Sequence, residues 1–78
     1  MPAQITVRFF ASLRERLGKA EVLLEETGEI TVLDVWKRVS SESMPTNTLV
    51  AINQEYAAPQ SLVRPGDEVA FFPPVTGG

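Results

Sequence analysis

The sequence of 78 residues contains no cysteine and no histidine. The absence of cysteine excludes disulfide bonds, thiolate zinc sites and a cysteine nucleophile. The absence of histidine removes the commonest general base and the commonest transition-metal ligand. We therefore expect no metal site, no cofactor bound by the chain itself and no conventional catalytic centre.

Positive charge is also scarce, since 7 Lys and Arg residues stand against 10 Asp and Glu, a net charge of −3. That sign disfavours binding to a phosphate backbone, so no nucleic-acid partner is expected. No apolar run is long enough to span a bilayer, and the N-terminus lacks the layout of a signal peptide. We expect one small cytoplasmic domain that does not bind membranes and lies near the lower size limit for a self-sufficient core.

Several segments have the composition of β-strands. Some alternate apolar and polar residues, and one is a continuous apolar run of the kind found in a strand covered on both faces. Pro65 and Gly66 occupy the central positions of a type II turn before the last strand. The predicted strands cover residues 5–9, 20–25, 49–52, a short segment around Tyr56, and 68–72.

The clearest element is a helix that we predict from Val32 to about Ser43. Thr31 is suited to be its N-cap, and Asp34 in the first turn suits the positive end of the helix dipole. Asp34 also stands four residues before Arg38, which is the spacing of an ion pair on a helix. The apolar stripe that marks the core-facing side consists of Val32, Val35, Trp36 and Val39.

A shorter helix is predicted after the first strand. Ser12 opens it, because Glu15 three residues later completes the spacing of a capping box, and Gly18 supplies the C-terminal stop. Two strands, one long helix and then further strands predict an α+β fold of the ubiquitin-like β-grasp type. In that fold one main helix covers one face of a mixed sheet and the other face stays open. We expect residues 1–72 to form this domain and residues 73–78 to form an extended tail.

Two pairs of adjacent phenylalanines lie on the predicted first and last strands, Phe9-Phe10 and Phe71-Phe72. Because strand side chains alternate between faces, only one ring of each pair can enter the core. We expect Phe9 and Phe71 to be buried, which leaves Phe10 and Phe72 on the opposite face as one exposed apolar patch. Such patches often mark partner sites. The alternative is that loops or residues 12–17 cover one or both rings.

The C-terminal tail combines stiffness with a slim end. Pro73 and Pro74 prevent further sheet pairing, whereas Gly77 and Gly78 carry no side chain. Six extended residues reach roughly 20 Å. A terminal carboxylate on such an arm can pass through a narrow channel, which suits chemistry performed inside the active site of another protein.

Two acidic clusters are candidates for a cation site or a catalytic carboxylate pair. Glu25, Glu26 and Glu29 resemble an oxygen-ligand cation site, but a solvated polar loop explains them better. Asp67 and Glu68 fit turn chemistry better than a catalytic carboxylate pair. The glycines are too scattered for a P-loop or a dinucleotide fingerprint.

The last twelve residues, 67–78, resemble the C-terminal signature of the molybdopterin synthase small subunit, the sulfur carrier of molybdenum cofactor biosynthesis. Phe-Phe-Pro-Pro-Val before Thr-Gly-Gly is its specific part. Residues 9–11 and 13–15 are similar to the same family, as are residues 51–54, which thiamine-pathway sulfur carriers share. The resemblance covers the whole chain and is diffuse over residues 24–49, where the segment before Leu49 is shorter than in some members.

The resemblance implies a chemistry in three steps. An adenylating enzyme of the ubiquitin-activating type uses ATP to convert the Gly78 carboxylate into an acyl-adenylate. A sulfur donor protein then displaces AMP and leaves a C-terminal thiocarboxylate. The tail enters the large subunit of the synthase and gives its sulfur to cyclic pyranopterin monophosphate, forming the dithiolene of molybdopterin.

The resemblance also implies an assembly and a set of site residues. The chain is the non-catalytic sulfur-donor subunit of a heterotetramer of two small and two large subunits. Gly78 is the reacting group, and Gly77 and Thr76 form the threaded arm. The residues implied to bind partners are Phe10, Arg14, Tyr56, Phe72, Pro73, Pro74, Val75 and Thr76.

Three alternatives stay open at this point. A thiamine-type carrier would form the same thiocarboxylate but pair with a thiazole synthase. A ubiquitin-like modifier would join Gly78 to lysines of other proteins through an isopeptide bond. A β-grasp interaction domain with an inert tail would keep its function without Gly78.

Overall fold

The computed structural model describes residues 3–74, which form seven strands and two helices. Each strand predicted from the sequence is present, with ends that agree within one residue except around Tyr56, where only the centre was predicted. No helix in this part of the chain is long and apolar enough to cross a membrane. In chain order the elements are β1 Gln4–Phe9, α1 Ala11–Leu17, β2 Glu21–Glu25, β3 Ile30–Thr31, α2 Val32–Val39, β4 Leu49–Ile52, β5 Glu55–Ala57, β6 Leu62–Val63 and β7 Glu68–Phe72.

Five strands form one mixed sheet in the order β2-β1-β7-β4-β5. β1 and β7 are parallel, and every other neighbouring pair in this sheet is antiparallel. α2 packs its apolar stripe against the inward-facing side chains of the sheet. The predicted α+β fold of the ubiquitin-like β-grasp type is therefore confirmed.

The core is organised around Trp36. Its ring packs edge to face against Phe71 and Phe9, with centroid distances of 5.1 Å and 6.0 Å respectively. Phe9 and Phe71, which are register partners on β1 and β7, stack 5.8 Å apart. All three side chains are buried, so the predicted core positions of both phenylalanines and of the tryptophan are confirmed. Such aromatic pairs contribute beyond the area they bury.

The start of α2 is a reciprocal capping box. The Asp34 N–H donates to the Thr31 hydroxyl oxygen at 3.1 Å, and the Thr31 N–H donates to the Asp34 carboxylate at 3.2 Å. Interaction of the Asp34 carboxylate with the Thr31 hydroxyl, and next with the Thr31 N–H, lowers the pKa of Asp34 below its usual value. The predicted ion pair between Asp34 and Arg38 is wrong, since Arg38 pairs instead with Glu26.

The end of α2 comes at Val39, so the predicted extension to Ser43 is wrong. Ser40 is extended, and its hydroxyl oxygen accepts a hydrogen bond from the Glu42 N–H at 3.1 Å. Serine competes with the helix in this way. The Trp36 indole N–H donates to the Glu42 carbonyl oxygen at 2.7 Å, which holds the loop against the helix. The Lys19 ammonium also caps the helix end by donating to the Val39 carbonyl oxygen at 2.7 Å.

The start of α1 also differs from the prediction. Phe10 occupies the N-cap position without a side-chain cap, so the predicted capping box of Ser12 and Glu15 is wrong. The helix begins at Ala11. This start turns Leu13 toward the core, where it is buried, whereas Ser12 lies in the exposed first turn. The predicted stop at Gly18 is confirmed, with φ +71° and its N–H bonded to the Arg14 carbonyl oxygen at 2.9 Å.

A second sheet of two short strands, β3 and β6, was not predicted. Each strand has only two residues, too few for a periodic signal. The adjoining loop completes the start of α2, because the N–H groups of Val32 and Leu33 donate to the carbonyl oxygens of Ser61 and Pro59 at 2.9 Å each. The predicted turn at residues 64–67 is confirmed by φ +96° at Gly66 and a closing bond of 3.0 Å.

Candidate functional site

Phe10 and Phe72 stand together on the sheet face opposite α2. Their rings stack with centroids 4.9 Å apart and planes 9° apart. Phe10 is 39% exposed and Phe72 is half-buried. The predicted exposed pair is confirmed, and α1 leaves Phe10 open to solvent. We refer to this side of the five-stranded sheet as the open face.

A groove of about 390 Å³ lies on the open face. Its floor is formed by Ala51 and Ala70, which are register partners on β4 and β7. Both alanines are buried, and their single methyl groups leave room that larger side chains would fill. The residues that line the groove are Arg8, Phe10, Ala51, Gln54, Tyr56, Glu68, Ala70 and Phe72.

Tyr56 forms the side of the groove across from the phenylalanine pair. It is the register partner of Ala51 and is 80% exposed. The predicted turn at Asn53 and Gln54 is confirmed, with φ +50° and +71° in the left-handed region of tight hairpins. Three of the sequence-predicted partner-binding residues, Phe10, Tyr56 and Phe72, therefore share one groove.

An ion cluster centred on Arg8 crosses three strands of the open face. The Arg8 guanidinium lies 3.0 Å from the Glu68 carboxylate on β7 and 3.4 Å from the Glu21 carboxylate on β2. All three side chains are partly exposed, so these bonds contribute little to stability. Their effect is to give the aromatic groove one polar wall. Sequence reasoning did not identify Arg8 as part of the site.

Asn53 ties the hairpin that carries Tyr56 to the start of β7. Its amide N–H donates to the Asp67 carboxylate at 3.0 Å, and its carbonyl oxygen accepts from the Glu68 N–H at 2.9 Å. The Asp67 carboxylate also accepts from the Arg64 N–H at 2.9 Å. The interpretation of Asp67 as a turn residue is confirmed, and the same network fixes the end of the groove.

Arg14 lies outside the groove. It is exposed on α1 and lines a second depression of about 200 Å³ that shares Arg8 and Phe10 with the groove. Among residues 3–74 it forms no ion pair within 4.0 Å. Its predicted contact with a partner stays a prediction.

The described part of the chain ends two residues after β7, beside the aromatic pair. Pro73 is half-buried and Pro74 is exposed, directly after Phe72 at the end of β7. Val75, Thr76, Gly77 and Gly78 lie outside the described residues. Their predicted roles as the threaded arm and the reacting terminus therefore stay predictions.

The acidic loop after β2 is organised by Glu26. Partial burial raises the pKa of Glu26, but hydrogen bonds from the Gly28 and Thr27 N–H groups and the charge of Arg38 lower it below its usual value. Within residues 3–74 no group of three or more acidic, histidine or cysteine side chains is arranged to hold a metal ion. The Glu26 carboxylate therefore connects this loop to α2 through its ion pair with Arg38.

Comparison with known sequences identifies relatives along nearly the whole chain. The profile of the ThiS family matches residues 7–78. A molybdopterin synthase sulfur carrier subunit of Haemophilus influenzae is 39% identical over 95% of this chain and 99% of its own. The human protein of the same name is 32% identical over 96% of this chain and 94% of its own.

Solved structures show the same fold. The crystal structure of small archaeal modifier protein 1 from Haloferax volcanii superposes with a TM-score of 0.77 at 28% sequence identity. The match covers 94% of this chain and 99% of that one. The chain is therefore similar in sequence to proteins named as sulfur carriers and similar in fold to a protein named as a modifier.

Proposed function

Because the chain belongs to the ThiS family, we propose that it is the sulfur-carrier subunit of a molybdopterin synthase. The observation that carries this proposal is full-length similarity to proteins of that name, at 39% and 32% identity in the two relatives described above. The predicted resemblance to the molybdopterin synthase small subunit is confirmed by these relatives. The C-terminal signature at residues 67–78 supports the same assignment.

The sulfur is carried at the C-terminus as a thiocarboxylate. An oxygen of the Gly78 carboxylate attacks the α-phosphorus of ATP on an adenylating enzyme, and pyrophosphate leaves. Hydrosulfide supplied by a donor protein then attacks the acyl carbon, AMP leaves with the C–O bonding electrons, and loss of the S–H proton gives the thiocarboxylate. The chain has no cysteine that could hold sulfur elsewhere, which supports the terminus as the carrier group.

The groove on the open face binds the large subunit. Phe10, Tyr56 and Phe72 supply the aromatic surface that is enriched at interfaces, and the two alanines of the floor admit an apolar side chain of the partner. The arm begins at Pro73, immediately beside this surface. Binding at the groove therefore sets the point from which the tail enters the partner.

The catalytic groups belong to the partner proteins. The carrier contributes its terminal carboxyl group, whereas ATP is bound by the adenylating enzyme and cyclic pyranopterin monophosphate by the large subunit. The sequence of the carrier has no histidine or cysteine to act as a base or nucleophile. The carrier is thus the sulfur donor within a sulfur transferase, and its thiocarboxylate is used up in each transfer.

Reconstitution tests this function. Thiocarboxylated carrier, mixed with the large subunit and cyclic pyranopterin monophosphate, is expected to yield molybdopterin, with one carrier consumed per sulfur. A chain that lacks Gly78 is the matched control and is expected to yield none. Normal molybdopterin formation by the shortened chain would contradict the proposal. It would also be contradicted if the full chain gave no molybdopterin with the large subunit but transferred its sulfur into a thiazole with a thiazole synthase.

A second candidate is a ubiquitin-like modifier, and the similarity to the archaeal modifier structure favours it. In this role the activated Gly78 carbonyl is attacked by a lysine amine, and AMP leaves as an isopeptide bond forms. Expression of the tagged chain in its own cells would then give conjugates of higher mass that disappear when Gly77 and Gly78 are removed. If no such conjugates formed although the thiocarboxylate was present, the modifier role would be excluded and only the carrier role would remain.

A further inference from the structure

The edge strand β2 is unusually open. It lies at one end of the five-stranded sheet, and none of its five residues is buried. Leu23 is 55% exposed on the open face. Val22 and Leu24 are half-buried on the helix side, where they border the core. A further strand placed along this edge would cover apolar surface on both faces of the sheet.

The hydrogen-bonding pattern shows which backbone groups face this edge. The Phe9 N–H donates to the Ala20 carbonyl oxygen at 2.9 Å. The Glu26 N–H donates to the Ala3 carbonyl oxygen at 3.0 Å. Because antiparallel pairs alternate, even-numbered residues of β2 bond to β1 and odd-numbered residues point their N–H and C=O groups outward. The outward residues are Glu21, Leu23 and Glu25.

The charges along the edge discriminate between possible occupants. A second copy paired antiparallel about Leu23 would bring Glu21 of each chain against Glu25 of the other. Like charges directly opposite each other destabilise a strand pair, so self-pairing is disfavoured. Arg8 offsets this acidity only in part, because its single positive charge is shared between Glu21 and Glu68. The same pattern attracts a strand with positive side chains on both sides of an apolar one.

We propose that the free edge of β2 is a docking site for an extended basic segment of a partner protein, which adds to the sheet as an antiparallel sixth strand. Backbone bonds to Glu21, Leu23 and Glu25 supply the pairing, as in other cases of strand addition. The cationic residues lie opposite the two glutamates, and the apolar residue between them packs on Leu23. The site is separate from the aromatic groove and does not depend on the sulfur-carrier role.

An NMR titration of the full chain tests this site with two capped peptides. One has the core Lys-Thr-Leu-Thr-Lys, and the matched control has Glu-Thr-Leu-Thr-Glu. We expect the basic peptide to shift the amide signals of β2 and to bind about tenfold more tightly than the acidic one, from two cross-strand ion pairs. Absence of shifts at β2, or shifts confined to groove residues such as Tyr56, would overturn the proposal.

A charge-swapped chain provides the stricter test. The double variant Glu21→Lys and Glu25→Lys is expected to prefer the acidic peptide, whereas Glu15→Lys with Glu29→Lys makes the same change of net charge elsewhere and is expected to keep the original preference. An unchanged preference in the first variant would contradict docking at this edge. If the swapped chain fails to fold, the two-peptide comparison on the natural chain decides the question alone.

Discussion

Phe10 and Phe72 stack on the open face with ring centroids 4.9 Å apart. The stacked core pair, Phe9 and Phe71, lies on the other side of the same two strands. Parallel pairing of β1 with β7 sets Phe9 beside Phe71 and so brings the following residue of each strand together as well. The start of α1 and the end of β7 are thereby joined by one aromatic contact. In the proposed function this contact places the arm beside the surface that binds the partner.

Replacing Phe72 by alanine is expected to weaken binding of the large subunit by about 1–3 kcal/mol, because an aromatic anchor of the groove is lost. Isothermal titration calorimetry measures the change. The matched variant Phe71→Ala removes a buried ring and is expected to cost about 3–5 kcal/mol of unfolding free energy. If Phe72→Ala left affinity unchanged and lowered only the thermal stability, Phe72 would belong to the core.

Filling the groove is a separate test of its role. The variant Ala70→Leu places a larger side chain on the floor, where it is expected to weaken partner binding by about tenfold through steric overlap. Thr6→Leu, also on the open face but outside the groove lining, is the control and is expected to bind normally. Equal binding by both variants would show that no partner side chain enters the groove.

Asn53 combines two hydrogen bonds with a left-handed backbone, φ +50°. The variant Asn53→Ala is expected to lower the free energy of unfolding by about 2 kcal/mol, from lost bonds and from the backbone conformation. Asn53→Gly removes the bonds but accepts the conformation, and about half of that loss is expected. Urea unfolding of the two variants separates the contributions, and identical losses would contradict the assigned conformational cost.

Acid is expected to weaken the capping box of α2. Since the folded-state pKa of Asp34 lies below its usual value of 3.8, the unfolded chain binds more protons in the acid range. The contribution is therefore complete above the unfolded pKa and is lost as the pH falls through the folded one. Urea unfolding from about pH 5 to about pH 2 measures this loss.

Three variants test the contribution of the capping box and its sensitivity to acid. Asp34→Asn is expected to reduce the slope of stability against pH, whereas Glu26→Gln removes only the separate contribution of Glu26, whose pKa is also lowered. Thr31→Ala is expected to cost about 1 kcal/mol at neutral pH, because the N-cap oxygen is lost. Parallel pH curves for the natural chain and Asp34→Asn would exclude the capping carboxylate as a source of acid sensitivity.

Periodic patterns predicted the fold well because each reflects which side of an element is buried. The stripe that includes Trp36 and the alternation through Phe9 identified the core of α2 and β1 without any long-range information. The end of α2 was not predictable in that way, since the bonds that hold it, from the Glu42 N–H to the Ser40 hydroxyl and from Trp36 to the Glu42 carbonyl, leave no periodic pattern in the sequence. The two-residue strand at Ile30 gave no local signal either.

The candidate site was predicted only in part for a related reason. Alternation places Phe10 and Phe72 on the open face from each strand alone. The floor of Ala51 and Ala70 depends on the register between β4 and β7, which the sequence of neither strand contains. Arg8 likewise became part of the site only because β1 lies between β2 and β7. Small residues at outward strand positions were the one available signal for the groove.

The central claim is that Gly78 carries sulfur, and the intact mass of the protein tests it most directly. The chain is incubated with its adenylating enzyme, ATP and a sulfur source, beside a chain that lacks Gly78. We predict a mass gain equal to the exchange of one oxygen for one sulfur in the full chain and no gain in the shortened one. An unchanged mass of the full chain, with an enzyme that activates another carrier in the same preparation, would contradict the account.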